Sequence, residues 1–456
     1  MKNDTNKSPR NVKKLEGHNV RKSFMLVCCI VFLMIGCENK SNPGFVDDSS
    51  EVLINNELNY QDEKELWDKV LRKYLNEPLW IERDIYDAGH NLMVPIHAAF
   101  IKCNNDWIMD IDRHFKSFVE DYDVENEISL LNKLHYYYAA SRYLTLLVEN
   151  DVPLEDYHLQ LAELLKLELI KFWEVEPAWH WDYEDFIGIK QRLEYKLNLS
   201  NPRFSYDKAI IDEELFIVSI GSDLKYFYES QYIRNPILEE INQYGQRIFI
   251  QEGKLLDEGG WLFQENVWKD HPDYAFSGYN SIKEIEGGKR KVREFLNTDS
   301  SHGTRLPLQI FSVMKATNSM KEKQLLKEVF ENIELQFYEK ILSRKNEIYI
   351  LNNFMDGSNG VFRYDYETNK GTGYGPHSLS GILMVGWYNF LNTERVSNIF
   401  KEMSLQFPID IKVYSKYYLD KTNRVRNPLA KEPEAYYNGL YQLILLLSSQ
   451  PLLKEE

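Results

Sequence analysis

His302 lies in a run, Asp299-Ser300-Ser301-His302-Gly303-Thr304-Arg305, that places a carboxylate, hydroxyls, an imidazole and a guanidinium close together in the chain. A histidine in such company can act as a general acid or base, with the carboxylate tuning it and the guanidinium meeting an acidic group on a ligand. The plainer reading is a structural histidine at a helix start. Three segments, one of them running into this one, offer comparable groups. One holds Trp179, His180, Trp181 and Asp182. Another runs from Gly259 through Trp261 and Trp268 to Tyr274, and on to the His302 run. A third stretch extends from Met355 through Arg363 to Tyr374 and His377. Aromatic faces stack on the C–H faces of sugar rings while neighbouring polar groups hold hydroxyls, so the three segments together point to a carbohydrate cleft. Trp179, His180, Trp181, Asp182, Trp261, Trp268, Tyr274, Ser301 and His377 are the expected substrate contacts. Packing of loops over a helical core would use the same aromatic residues.

These segments need a scaffold, and the rest of the chain supplies one made of helices. Apolar residues recur with helical spacing at about 60–77, 89–104, 108–122, 126–148, 154–173, 206–230, 233–251, 305–317, 321–344, 376–391, 394–405 and 433–449. Strand signals are scarce, with Glu347 to Leu351 the best of them. A weak repeat recurs at Ala98 to Phe115, Leu144 to Tyr157, Phe311 to Leu326 and Gly386 to Phe400: an apolar helix, a small polar pair able to cap, then a more charged helix. An apolar inner helix followed by a polar outer one suits an all-α fold, an (α/α) toroid of about six helical hairpins with long functional loops. A helical bundle or solenoid gives similar local signals. The irregular stretches Trp173 to Glu194, Glu252 to Thr304 and Asn346 to Gly375 carry the candidate residues, as long loops in a compact domain often do.

The run Ser300 to Arg305, leading into Gln309 to Met314, resembles the Asn-Asn-His segment and following helix of alginate-lyase-like polysaccharide lyases. Tyr374-Gly-Pro-His377-Ser-Leu-Ser-Gly is similar to that family's Tyr-bearing segment. The resemblance implies an (α/α) toroid and cleavage of a uronate glycan by β-elimination. It also implies that His302 and Tyr374 neutralise the uronate carboxylate and transfer the proton, with Arg305 or Arg363 assisting at the carboxylate. Ser301 stands where the family has Asn, a weaker donor. The chemistry makes its own demand, because a proton beside a carboxylate is barely acidic until that carboxylate is neutralised. His302, Tyr374, Arg305 and Arg363 supply groups of the required kinds. A glycoside hydrolase would need two carboxylates instead. Asp182, Glu184, Asp185, Asp257, Glu258, Asp270, Asp273, Asp356 and Asp365 are all available, and spacing singles out no pair. A polysaccharide-binding lipoprotein without catalysis is the third alternative.

The N-terminus predicts where this chemistry takes place. Lys13, Lys14, Arg21 and Lys22 precede an apolar run, Phe24 to Ile35, which is too short to span a bilayer and has the length of a signal-peptide core. Met34-Ile35-Gly36-Cys37 resembles the lipobox of bacterial lipoproteins, which implies lipidation at Cys37. The expected organisation is a signal peptide (1–36), a flexible tether (37–55) and the toroid domain (56–456), in a membrane-anchored lipoprotein facing the periplasm or the cell surface. Cys28 and Cys29 leave with the signal, so Cys103 is expected to stand alone without a disulfide. The chain carries 54 basic and 70 acidic residues, and beyond Gly36 the balance is 47 to 68, a net charge of −21. That excludes nucleic acid as the expected partner and leaves an acidic polysaccharide or oligosaccharide to be met by local cations. Lys289-Arg290-Lys291-Arg293 and Lys421 to Lys431, with Arg424 and Arg426, could supply them. No Cys/His metal spacing, P-loop, Rossmann fingerprint or Gly-x-Ser-x-Gly elbow is present. No cofactor is expected, and Ca²⁺ or Zn²⁺ in the Asp/His-rich loops remains compatible with the sequence.

Overall fold

Apolar residues three and four positions apart build helices that bury one stripe, and chain segments apolar all round build helices that are buried entirely. Both kinds occur in the computed structural model. It describes residues 62–454 except 82–83, 124–127, 182, 346–347, 366–370, 382, 384–385 and 411–434. The signal segment, Cys37, the tether, Asp182 and the basic stretch Lys421 to Lys431 with Arg424 and Arg426 therefore lie outside the described residues.

The architecture is mostly helical. After a helical stretch over Trp67–Leu71 and Arg72–Leu75 come α1 (Asp84–Ile101), α2 (Asn105–Asp121), α3 (Leu130–Glu149), α4 (Asp156–Glu174), α5 (Gly188–Asn198), α6 (Asp212–Ser230) and α7 (Pro236–Gln251). Then follow α8 (Ser300–Gly303), α9 (Leu306–Ala316), α10 (Met320–Gln336), α11 (Glu394–Ser404) and α12 (Gln442–Leu447). Helices α1, α3, α6 and α9 are buried nearly all round, whereas α2, α7, α10 and α11 bury one stripe. The buried helices touch in series, α1 with α3, α3 with α6 and α6 with α9. The turn Trp387–Leu391 packs on α9, and its Trp387 indole donates to the His90 carbonyl of α1 at 3.0 Å. Helix α2 leans on α1, α4 on α3, and α7 and α10 on α9. Among the described residues, no helix is long and apolar enough to cross a membrane.

Caps explain several helix starts. Asn104 accepts from the Trp107 amide ahead of α2, and Thr393 accepts from Val396 ahead of α11, as the repeat predicts. In the other two repeats the polar pair does not cap the second helix. Asn150 ends α3, and α4 is capped by Glu155 with His158 in a reciprocal pair, while Ser319 precedes α10. Of the helix expected over 376–391, residues 376–379 form turns, and the Trp387–Leu391 turn is entered from Gly386 at φ 81°. Helix α5 was expected to be loop up to Glu194. Its buried face carries Arg192 and Lys196 beside Ile189 and Leu193, so charges interrupt the apolar period.

Three antiparallel hairpins complete the fold: β1 (Pro177–His180) with β2 (Tyr183–Ile187), β3 (Gly253–Leu255) with β4 (Trp261–Phe263), and β5 (Leu342–Lys345) with β6 (Ile348–Leu351). The last of these contains the one strand that the sequence signals.

Some core groups make the fold sensitive to pH. His114 is buried, with Nδ1 2.6 Å from the Leu75 carbonyl and Nε2 2.8 Å from the Tyr136 hydroxyl. Nδ1–H thus donates and Nε2 accepts, a neutral imidazole. Burial pushes its pKa down to about 4, against the bond to Leu75. A depressed folded value means that stability is present above the unfolded histidine pKa and is lost as pH falls from there through about 4. The shift corresponds to roughly 3 kcal/mol. His114→Phe should therefore flatten the acid limb of a chemical-denaturation series between those pH values. An unchanged slope would show that the ring is solvated or already charged.

Candidate functional site

Asp299 organises the centre of the site. As the residue before α8 it is a natural N-cap, and its Oδ1 accepts from the amides of Ser301 and His302, each at 3.2 Å, and from the Ser301 hydroxyl. Its Oδ2 lies 2.6 Å from His302 Nδ1 and accepts from the Tyr274 hydroxyl at 3.0 Å. The cap that starts the helix thus also fixes the orientation of the imidazole. Helix α9 follows at once, its start favoured by Pro307.

On the other side of the ring, His302 Nε2 is 3.7 Å from Oδ2 of Asp212, the first residue of α6. A carboxylate there sits well in the positive end of the helix dipole, and it also accepts from Arg305 Nη1. Burial works against the charged form of Asp212, but Arg305 and His302 outweigh it and hold the carboxyl below the usual carboxylate range. Asp299 is held well below that range in the same way, burial being overcome by His302 and its hydrogen bonds. Both are ionised at neutral pH. Burial and the neighbouring Asp299 carboxylate drive the Tyr274 hydroxyl the other way, so it stays protonated and donates.

These groups open into a cavity of about 220 Å³ whose walls include Trp179, Trp181, Trp268, Tyr274, His302 and Arg363. The indole of Trp268 stacks on Tyr274 with centroids 5.6 Å apart and donates to Thr298 Oγ1 at 2.9 Å. His271 is enclosed by the rings of Tyr206 and Trp268, at 5.1 and 5.3 Å, and burial lowers its pKa. Its Nδ1 accepts from the Asp273 amide at 3.3 Å, which leaves Nε2–H as a neutral donor. Arg363 Nε donates to Asp273 Oδ2 at 2.8 Å, and its amide donates to the Asp273 carbonyl at 2.8 Å. Arg363 holds φ at 52° and Trp181 at 34°. Left-handed backbone at bulky residues costs about 1–3 kcal/mol each, a strain that clusters at functional sites.

The expected substrate contacts divide sharply. In the β1–β2 hairpin, alternation sends Trp179 and Trp181 to the cavity and His180 to the opposite side, where it is buried with Nε2 2.9 Å from the Asp207 carbonyl. Trp261 is core: it stacks on Phe263 at 5.6 Å, and a Cβ on Gly253 would lie 2.2 Å from its indole. Ser301 supports Asp299 and does not line the cavity. His377 takes the Asn359 side-chain carbonyl on its amide at 3.0 Å and, with Nδ1 3.2 Å from the Leu351 carbonyl, organises its own loop. Tyr374 pairs through its backbone with Phe362, at 2.7 and 2.9 Å, behind the cavity wall that Phe362 helps to form. Arg305 likewise stands behind Asp212. Of the four expected catalytic residues, His302 and Arg363 line the cavity and Tyr374 and Arg305 do not.

Asp212 and Glu213 were not among the expected site residues; Asp273 was named only among the carboxylates available to a hydrolase, and His271 only lies within the segment from Gly259 to Tyr274. The expected helix over 206–230 put Asp212 and Glu213 inside its second turn, whereas the true start at Asp212 places both at a helix end that lines the cavity. Among the described residues, no three His, Cys, Asp or Glu side chains are grouped as a metal site. No family model, curated protein or solved structure matches the chain.

Proposed function

We propose that this protein is a lipid-anchored, polysaccharide-degrading enzyme on an (α/α) toroid that cleaves a uronate-containing glycan by β-elimination. The toroid reading draws on the serial contacts of the buried helices α1, α3, α6 and α9 and on the bond from Trp387 to α1. The observation that carries the chemistry is the Asp299–His302 pair opening into a cavity walled by Trp179, Trp181 and Trp268. Asp299 fixes the imidazole through Nδ1 and leaves Nε2 as the reacting nitrogen, the arrangement a general base requires. Nε2 takes the proton from C5, the C4–O bond breaks, and a C4=C5 double bond forms. The same nitrogen can then return the proton to the departing oxygen. Hydrolysis by a carboxylate pair needs one acid kept protonated, and Asp212 and Asp299 are both held ionised.

Uronate polymers incubated with the protein should yield the ultraviolet absorbance of an unsaturated uronate. New reducing ends without that absorbance would mean hydrolysis, and binding without cleavage would mean a carbohydrate-binding lipoprotein. The partner is an extracytoplasmic acidic glycan, reached from a lipid anchor at Cys37 on the periplasmic or cell-surface side. Cys37→Ser should abolish metabolic lipid labelling and move the protein out of the membrane fraction. Labelling that persists in the variant would remove the anchor from this reading.

A further inference from the structure

The charges around the cavity fit poorly with a free uronate. Among the described residues lining it, Asp212, Glu213, Asp273 and Asp299 supply four carboxylates and Arg363 a single guanidinium. That guanidinium is paired with Asp273 at 2.8 Å, and Arg305 behind the wall is paired with Asp212. Glu213 is paired in turn with the buried Arg192 at 2.9 Å, so a substrate carboxylate entering here would have to displace an existing ion pair to find a guanidinium, and would leave a carboxylate facing it unpaired. Like charges brought together at an interface cost several kcal/mol. Besides His271, Thr298 and His302, the lining is mainly aliphatic or aromatic: Ile210, Leu215, Phe263, Leu306 and Phe362 are buried and form part of the wall. Such surface takes a methyl group readily and leaves a hydroxyl or carboxylate without partners.

From the paired guanidiniums, the surplus of carboxylates and the apolar wall, we infer that the unit cleaved is an esterified uronate, its carboxyl carried as a methyl or similarly small alkyl ester. This rests on the β-elimination reading and specifies its substrate. The chemistry agrees. In a free uronate the existing negative charge resists a second one at C5, and the enzyme must neutralise it with cations or strong donors. In an ester that charge is already absent, the carbonyl alone acidifies the C5 proton, and a base in an acidic pocket suffices. Atoms balance without a co-reactant: the proton from C5 ends on the leaving oxygen, and the ester group is unchanged.

The test uses the purified full chain in detergent with matched pairs of one polymer, methyl-esterified and saponified, prepared from polygalacturonate and from alginate. The expected result is unsaturated product from the esterified member at roughly tenfold or more the rate of its saponified twin, a preference that persists as salt is raised. Equal rates, or a faster saponified member, would overturn the ester inference and leave the lyase reading standing. Reducing ends without ultraviolet absorbance, or no cleavage of either member of both pairs, would overturn the lyase reading and the inference with it.

Discussion

His302→Ala is expected to lower turnover by about 10²–10⁴-fold, the usual contribution of a positioned general base, while the protein stays folded. The ring is part-exposed at the cavity wall, and its hydrogen-bond partner Asp299 remains engaged by the amides of residues 301 and 302 and by Tyr274. Substrate affinity should change little, because Trp179, Trp181 and Trp268 remain in place. Asp299→Asn makes the companion test. It keeps the cap and the shape but replaces the charged partner of Nδ1, so turnover should also fall, with the pH profile displaced. Sign and window follow from the depressed pKa of Asp299. The carboxylate contributes stability above its unfolded value of about 4 and loses it as pH falls below that. The Asn variant should therefore lose part of the acid sensitivity that the native protein shows under those conditions. Full activity in His302→Ala would remove this residue from the mechanism, and Asp212 would then be the cavity base to examine.

The largest effect on stability is expected at Arg192. This guanidinium is fully buried; Nε donates to Glu214 Oε1 at 2.7 Å, and Nη1 lies 2.9 Å both from Glu213 Oε2 and from the Trp179 carbonyl oxygen. Lys196 shares Glu214 at 2.7 Å. Burial opposes the Arg192 charge, and the two glutamates more than restore it. Removing one partner of a buried ion cluster strands the others, at a cost of about 3–5 kcal/mol. Arg192→Met keeps most of the side-chain volume, so a loss of that size in denaturant unfolding would report the charge. A loss within experimental error would show that water reaches Glu213 and Glu214. Because Arg192 also lies over the Trp179 ring at 5.7 Å, the variant should weaken glycan binding as well as the fold. An exposed pair such as Lys327 with Glu331 should tolerate the corresponding change with little consequence.

The helices and the loops that carry the site were readable because periodicity and capping are local. Asn104 and Thr393 cap as expected, and the Asp299 to Arg305 run brings Asp299 and His302 to the cavity. Direction was harder to read. Neighbours in sequence point to opposite faces in a strand, so Trp179 and His180 look alike in the sequence although one lines the cavity and the other packs beneath it. Trp261 has the composition of a sugar platform and the surroundings of a core residue, a difference set by Gly253 across the hairpin. Tyr374 and Arg305 stand one residue back from the cavity, behind Phe362 and Asp212. Asp212 itself depended on a helix start displaced by six residues, because Tyr206 to Ile211 has the apolar content of a first helical turn.

Successive residues on a helix face directions about 100° apart, and the start of α6 uses three of them in turn. Asp212 faces His302 and Arg305, Glu213 faces Trp179 and Arg192, and Glu214 faces Arg192 and Lys196. His302 and Trp179 are therefore registered to one another by the spacing of adjacent peptides rather than by the packing of distant elements. Deleting a single residue of α6 just after Glu214 would turn all three carboxylates by about 100° relative to the buried face of the helix, a phase error that no side-chain adjustment could repair.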